Sequence, residues 1–262
     1  MTATRIFSIV TLCVLTSFLL IGQKKKAQVV EPPIKEYKNY VIKNVENKYE
    51  EYCDIAKDIW GYAELGYQET RSAKKLVDQL IKEGFSVEYA VAGLPTSFVA
   101  TFGSGKPVIG VLAEYDALPG LSQDAVPYQK PIVDGGSGHG CGHNLFGTAS
   151  IAAGVALKDW LKQYGKSGTI KGYGTPAEEG GGGKVYMTRA GLFNDVDVVL
   201  HWHPGDRNSA NADKCLAIIS GHFKFYGNTA HAAAAPHIGR SAVDGAEALN
   251  YMVNMMREHV DE

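Results

Sequence analysis

The segment His139-Gly-Cys141-Gly-His143 carries side chains that could bind a metal ion. Thiolate and imidazole groups are preferred zinc donors, and the glycines let the chain turn so that Cys141 and His143 face one ion. Taken alone, the same segment also fits a buried structural cysteine beside a histidine that caps a helix. Cys141 and His143 are therefore candidate metal ligands whose assignment depends on what surrounds them.

Two adjacent carboxylates, Glu178 and Glu179, lie in a glycine-rich loop that follows an expected strand. Burying an unpaired charge is costly, so a buried carboxylate pair favours a nearby cation. One carboxylate could bind a metal while its neighbour accepts and donates protons. Two solvated glutamates in a flexible loop are the alternative interpretation.

Two more expected strands end in polar pairs, Glu114 with Asp116 and His201 with His203. Residues two apart share one face of a strand, so either pair could meet a common ligand. Each pair alone is also typical of a solvated strand end. Together these segments offer donors suited to zinc or a similar divalent metal, namely Asp116, Cys141, His143, Glu178, Glu179 and His203.

Other chemistries fit the sequence less well. Residues 103–106 and 180–184 lack the spacing and the Ser or Thr of a phosphate-binding loop, and no Gly-x-Ser-x-Gly nucleophile motif occurs. Cys141 could act as a nucleophile, but neighbouring carboxylates would raise its pKa unless a metal intervened. The formal net charge of -2 argues against nucleic-acid binding.

Helical and strand patterns alternate along most of the chain, and 45% of its residues are hydrophobic, enough for a full core. This alternation predicts an α/β fold with a mostly parallel sheet and a site at the carboxyl ends of its strands. The expected helices are 44–65, 70–83, 145–161, 183–190 and one that carries Val243 to Val260 and is still running at Glu262, and the expected strands are 85–89, 96–102, 108–113, 168–173, 196–201 and 215–226.

The first residues resemble a leader. Arg5 precedes an uninterrupted apolar run over 6–22, and Ala27 offers a small-residue cleavage point, so 1–27 is expected to be a signal peptide or an N-terminal anchor. Residues 28–40 are expected to be a linker. Export predicts an oxidising compartment, but removing Cys13 would leave an odd number of cysteines, which does not fit a disulfide framework.

Three long motifs resemble those of the co-catalytic metallo-amidohydrolases, a family that includes aminoacylase, hippurate hydrolase and auxin-conjugate hydrolases. They are Gly138-His-Gly-Cys-Gly-His-Asn144, Tyr173-Gly-Thr-Pro-Ala-Glu-Glu-Gly-Gly-Gly-Gly-Lys184, and Ala230-His-Ala-Ala with Pro236-His-Ile-Gly-Arg-Ser241. The resemblance is strongest to the branch typified by the B subunit of p-aminobenzoyl-glutamate hydrolase, and it extends over 41–262.

The resemblance implies a zinc-peptidase-like, three-layer catalytic domain whose N-terminal part is 41–213. It also implies an inserted α+β, ferredoxin-like dimerisation or lid domain that begins at 214. The final helical pattern runs to Glu262 without a stop signal, and the family supplies a further histidine ligand after this point. We therefore expect 214–262 to be an incomplete domain and the chain to be C-terminally truncated.

The family motifs also imply site roles. One or two divalent ions, zinc or manganese, are expected to bind the four ligands Cys141, His143, Glu179 and His203. Glu178 is the expected general base, and Asp116 is expected to hold an active-site group in register, with Glu114 replacing the first Asp of the family motif Asp-x-Asp-Ala-Leu-Pro. His231 is expected to stabilise the oxyanion and to reach the active site of the partner in a homodimer.

The resulting functional expectation is hydrolysis of the amide bond of a small N-acyl amino acid or an aminobenzoyl-glutamate-like substrate by metal-activated water. A dipeptidase of the same family is one alternative. A non-catalytic metal-binding or partner-binding remnant is another. The expected location is periplasmic or secreted, or membrane-anchored if the leader is retained.

Overall fold

The computed structural model describes residues 33–210 and 217–260. They belong to two compact units, of which the first ends at Gly205 and the second begins at Asp206. The predicted leader, 1–27, and the predicted domain boundary after Asp213 lie outside the described residues. Within those residues, no helix has both the length and the apolar character needed to cross a membrane.

The first unit contains the strands predicted for it and most of the predicted helices, with shifts at their ends, but the helix predicted over 44–65 is two helices. Its helices are α1 (Ile34–Glu46), α2 (Tyr49–Tyr62), α3 (Thr70–Lys82), α4 (His143–Gln163) and α5 (Gly183–Arg189). Its strands are β1 (Ser86–Tyr89), β2 (Phe98–Ser104), β3 (Val108–Ala113), β4 (Gly168–Gly174) and β5 (Val198–Leu200).

The strands form one sheet in the order β1-β2-β4-β3-β5. β2 is antiparallel to both of its neighbours, whereas β3 is parallel to β4 and to β5. All strands except β2 therefore run in one direction, and the carboxyl ends of β3, β4 and β5 meet at one edge. This confirms the predicted α/β class with a mostly parallel sheet.

Hydrophobic cores cover both faces of the central strands, which makes three layers. Phe98 and Ala100 of β2 face a core formed with α2, α3 and α4. Val99, which points the other way because strand side chains alternate, packs with Tyr173 and with Met187 of α5. The two cores pack on opposite faces of the sheet whose strand ends carry the candidate ligands.

The structure differs from the sequence prediction at the start of the first unit. Part of the predicted linker 28–40 is helical, since α1 begins at Ile34 with Pro33 as the extended residue before it. No α1 residue is buried, but Tyr37 lies edge-on to Trp160 of α4 with ring centroids 5.2 Å apart. The single helix predicted over 44–65 is divided at Asn47 and Lys48 into α1 and α2.

The second unit contains one long helix, α6 (Ala242–Met256), whose first turn is capped by the hydroxyl of Ser241. The strand predicted over 215–226 is wrong for its described part, because 217–226 has no strand and Ile219 is 98% exposed. A strand needs a neighbour to pair with, and none of the described residues of this unit pairs with 217–226. The ferredoxin-like dimerisation domain stays a prediction.

Candidate metal centre

The candidate ligands converge because of the sheet topology. Glu114 and Asp116 directly follow β3, and His203 follows β5. Glu178 and Glu179 lie in the loop after β4, and Cys141 and His143 lie where α4 begins. Parallel neighbouring strands bring these segments to the same edge of the sheet.

His143 lies at the centre of the site and is fully buried. Its Nδ1 lies 3.0 Å from Oδ1 of Asp116, and its Nε2 lies 3.3 Å from Nε2 of His203. The Sγ atom of Cys141 lies 3.4 Å from the same His203 nitrogen. One potential ligand atom from each of Cys141, His143 and His203 lies within 4.8 Å of the other two.

The carboxylate pair approaches the same Nε2 atom of His143 that faces His203. Oε2 of Glu178 is 3.6 Å and Oε1 of Glu179 is 3.9 Å from this atom. The backbone N–H of Glu179 donates to Oδ2 of Asp116 at 2.9 Å. Asp116 thus contacts both His143 and the loop that carries Glu178 and Glu179.

Glu114 is closer to the centre than the sequence motifs imply. It is 1% exposed, and it belongs to a second set of clustered donors with His143, Glu178 and His203. Its Oε1 accepts hydrogen bonds from Lys184 and, at 3.2 Å, from His201. Its Oε2 lies 3.0 Å from Nε2 of His143 without forming a hydrogen bond.

The fold also brings Lys184 and His201 into the site, where both contact Glu114. Of the two histidines after β5, His203 lies beside Cys141 and His143, while His201 contacts Glu114. Lys184 stands at the end of the motif that begins at Tyr173, but only the fold shows that α5 returns its side chain to the end of β3.

The donors fit a divalent cation. Oε2 of Glu114 and Oε1 of Glu179 are buried without a hydrogen-bond partner, an arrangement that is uncommon unless an ion or water completes it. The Nε2 atoms of His143 and His203 face each other, and at least one of two such nitrogens needs a proton or a metal. Thiolate and imidazole suit zinc, and the carboxylates suit manganese as well.

Charges in the site shift its pKa values strongly. Burial alone would lower the pKa of His143, but the adjacent carboxylates of Asp116 and Glu114 raise it to about 10. Burial opposes ionisation of Glu114, yet His143, His201 and Lys184 hold the pKa of that carboxyl well below its usual range. Burial and the charge of Glu179 raise the pKa of the Cys141 thiol to about 12. A thiol with this pKa is a poor nucleophile.

His231 belongs to the second unit, where its Nδ1 accepts hydrogen bonds from the backbone N–H groups of Ala233 and Ala234 at 3.2 and 3.1 Å. These contacts fix the imidazole within its own loop. Its expected role toward an oxyanion stays a prediction.

Comparison with known proteins supports this interpretation of the site. The chain is 45% identical over 230 residues to the B subunit of p-aminobenzoyl-glutamate hydrolase from Escherichia coli strain K12, covering 87% of this chain and 48% of that protein. It is 33% identical over 221 residues to the Xaa-Arg dipeptidase of Mus musculus, covering 79% and 47%. The chain thus spans about half the length of the curated relatives it matches.

A solved structure is also similar to this chain. A dinuclear metal-binding peptidase of the M20 family from Bacillus subtilis superposes with a TM-score of 0.50 at 28% identity, covering 59% of this chain and 42% of the other. The sequence profile of peptidase family M20/M25/M40 matches residues 110–256, which include every candidate ligand. Fold, donor set and sequence similarity agree, and the chain belongs to peptidase family M20/M25/M40, a family of hydrolases.

Proposed function

We propose that the protein is a metal-dependent amidohydrolase that cleaves the amide bond of a small N-acyl amino acid or an aminobenzoyl-glutamate-like substrate. The observation that carries the proposal is the cluster of Cys141, His143 and His203 beside the carboxylate of Glu178 at one sheet edge. The similarity to p-aminobenzoyl-glutamate hydrolase supports the substrate class.

In this proposal Cys141, His143, Glu179 and His203 hold one or two divalent ions, zinc or manganese. Such an ion supplies Lewis-acid chemistry, polarising the amide carbonyl and making water more acidic. Asp116 holds Nδ1 of His143, which leaves Nε2 facing the other donors. His231 is proposed to stabilise the charge that develops on the carbonyl oxygen.

Glu178 moves the proton. Its carboxylate accepts a proton from the attacking water as the new C–O bond forms, and it returns that proton to the amine nitrogen as the C–N bond breaks. Its Oε2 is 3.6 Å from the central histidine, and its side chain is 37% exposed, so it can meet both the ligand cluster and an incoming substrate. A single carboxylate can therefore serve both proton transfers.

The test is the substitution Glu178→Gln, with Glu88→Gln on exposed β1 as the matched control. We expect Glu178→Gln to lower kcat for amide hydrolysis by about 10²–10⁴-fold while the bound metal measured by mass spectrometry stays the same. The control should keep both values. Unchanged hydrolysis in Glu178→Gln would contradict the assignment of the general base.

A dipeptidase is the second candidate, because the chain is also similar to the Xaa-Arg dipeptidase. A panel of aminobenzoyl-glutamate, N-acyl amino acids and dipeptides ending in arginine separates the two, since each proposal names the preferred substrate. Metal binding without hydrolysis of any member would instead favour the non-catalytic alternative.

We also propose a homodimer formed through the second unit and export by the N-terminal leader. Light scattering of the purified protein tests the dimer. The Escherichia coli relative is one of two different subunits of its hydrolase, which makes a different protein chain the alternative partner. The mass of the mature protein tests the leader, because removal near Ala27 gives a chain that begins near Gln28, whereas a retained anchor leaves the full mass.

A further inference from the structure

The loop 63–69, between α2 and α3, contacts two segments of the candidate site. Leu65 forms a parallel bridge with Ala117, the residue after Asp116, and the backbone N–H of Ala117 donates to the carbonyl oxygen of Glu64 at 2.8 Å. The same loop then contacts the segment 177–181, which contains both carboxylates of the Glu178–Glu179 pair. It lies outside all three of the family motifs.

Glu69 anchors the first residue of that segment. It is fully buried, its Oε1 accepts the backbone N–H of Ala177 at 2.8 Å, and its Oε2 accepts the hydroxyl of Thr96 at 2.7 Å. Burial raises the pKa of this carboxyl, so the group is costly to hold in the core in its charged form. Both of its oxygens nevertheless have a defined partner.

Ala177 needs such an anchor because of its backbone conformation. Its φ of 57° lies in the left-handed region, which a residue with a side chain adopts only when its surroundings hold it there. Gly66 packs so closely against it that a Cβ at position 66 would lie 2.8 Å from the Cβ of Ala177. The strained residue immediately precedes Glu178, so its conformation sets the direction of that side chain.

Tyr67 holds the other end of the segment. Its hydroxyl donates to the carbonyl oxygen of Gly181 at 2.6 Å, and the N–H of Gly181 donates to the carbonyl oxygen of Ala177 at 3.0 Å, which closes the turn. Glu69 and Tyr67 thus fix the residues on both sides of the carboxylate pair.

We propose that Glu69 and Tyr67 are positioning residues that set the orientation of Glu178 and Glu179 through hydrogen bonds to Ala177 and Gly181. The inference rests on the proposed function, because it assigns a task to the carboxylates that the loop holds. Glu69 and Tyr67 act through the backbone of the segment 177–181, called the carboxylate loop below, and take no part in the proton transfers.

The experiment compares Glu69→Ala and Glu69→Gln with Glu64→Ala. Glu64 is a matched control from the same loop, since its side chain accepts N–H groups of Arg71 and Ser72 at the start of α3 and does not contact the carboxylate loop. We expect Glu69→Ala to weaken binding of Zn²⁺ alone by about 10–100-fold and to lower kcat by about 100-fold. KM should change little. Glu69→Gln should restore both values, because its amide oxygen can still accept the Ala177 N–H.

Tyr67→Phe is the second variant, and it decides the question if Glu69→Ala does not fold. It removes only the hydroxyl, and we expect Zn²⁺ affinity and kcat to fall while the circular dichroism spectrum is unchanged. Glu64→Ala should lose thermal stability but keep both values. Equal losses in Glu64→Ala, or unchanged Zn²⁺ affinity in Tyr67→Phe, would overturn the inference. If the unmodified protein hydrolyses no amide, the proposed function fails, and the Zn²⁺ measurements still test the positioning role.

Discussion

At the scale of single residues, the position of His143 explains why so many donors can meet. Asp116 lies 3.0 Å from Nδ1 and leaves Nε2 toward Glu114 and His203. A carboxylate on one imidazole nitrogen fixes the tautomer and makes the other nitrogen a better ligand. The same carboxylate also accepts the N–H of Glu179, so one residue contacts candidate ligands from two different segments.

Lys184 provides the clearest prediction at this scale. Its ammonium contacts Glu114, a buried carboxylate whose second oxygen faces the ligand cluster, so removing the cation changes how Glu114 is held and how much negative charge the site carries. We expect Lys184→Met to change Zn²⁺ affinity by about 10-fold or more, measured by competition with a fluorescent chelator.

Lys171→Met is the matched control for that prediction. Lys171 pairs with Asp195 at 2.7 Å, and Asp195 is 63% exposed, so this substitution removes a lysine from an ion pair at the surface. Zn²⁺ affinity should stay at the unmodified value in the control. Equal affinities in Lys184→Met and Lys171→Met would show that Lys184 has no influence on the centre.

The sequence predicted part of the site at residue scale. Cys141, His143 and His203 stand out by donor type and by their position after expected strands or before a helix, and the structure brings their ligand atoms together. The contact between Lys184 and Glu114 joins residues that are 70 positions apart. No local sequence pattern indicates such a contact, because the contact depends on how α5 packs against the sheet.

At the scale of elements, α4 packs closely against the end of β3. A Cβ added at Gly147 would lie 2.5 Å from the carbonyl oxygen of Glu114, whereas one added at Gly154 in the same helix meets nothing within 4 Å. Gly147 therefore lets α4 approach the strand end that carries Glu114. This close approach also fixes where His143, on the first turn of α4, lies.

This packing gives a prediction with its own control. We expect Gly147→Ala to destabilise the fold, since backbone must move to relieve the overlap, and to weaken Zn²⁺ binding because α4 shifts relative to β3. Gly154→Ala should stabilise the fold by about 1 kcal/mol, the usual gain in helix propensity. Urea unfolding measures both, and similar stability changes for the two variants would contradict the packing described.

A buried ion pair connects the ends of α3 and α4. Lys158 of α4 lies 2.8 Å from Oε2 of Glu83, and their side chains are 5% and 11% exposed. Burial alone would raise the pKa of Glu83, but hydrogen bonds and charges from Lys158 and Lys48 lower it below its usual 4.5. A carboxyl with a lowered folded pKa stabilises the fold above its unfolded pKa, and this contribution is lost as pH falls through the folded value.

Glu83→Gln tests this linkage. Near neutral pH we expect the variant to unfold more easily by about 3 kcal/mol, as for removal of one partner of a buried pair. The difference from the unmodified protein should shrink as pH falls below about 4.5, because the native carboxyl is then protonated too. Denaturant unfolding at several pH values measures the difference, and one that grows toward acid pH would contradict the sign.

The helices and strands of the first unit could be predicted because the spacing of their apolar residues matches the positions that are buried in the fold. The predicted linker 28–40 is the exception, because α1 has no buried residue and is held by contacts with α4 that a local pattern does not show. Residues 217–226 differ from the prediction in the opposite way, because their types favour a strand but the structure has no strand there. Strand formation needs a pairing partner, and the described second unit supplies none.

At the scale of the whole molecule, the candidate metal ligands among the described residues all belong to the first unit. These candidate ligands lie in segments between 114 and 203, all before Gly205, where that unit ends. His231 belongs to the second unit, and the proposed dimer would form through that unit. Ligand binding and assembly are therefore separate properties of the chain and can be measured separately.

The most direct test of the metal centre is calorimetric titration of the purified protein with Zn²⁺, compared with Cys141→Ala combined with His203→Ala. His237→Ala, on an exposed turn of the second unit, is the control. We predict that the unmodified protein and the control bind one or two ions, two being the number for a co-catalytic site, and that the double variant loses this binding. An unmodified protein that binds no Zn²⁺, or a double variant with unchanged affinity, would contradict the metal centre described.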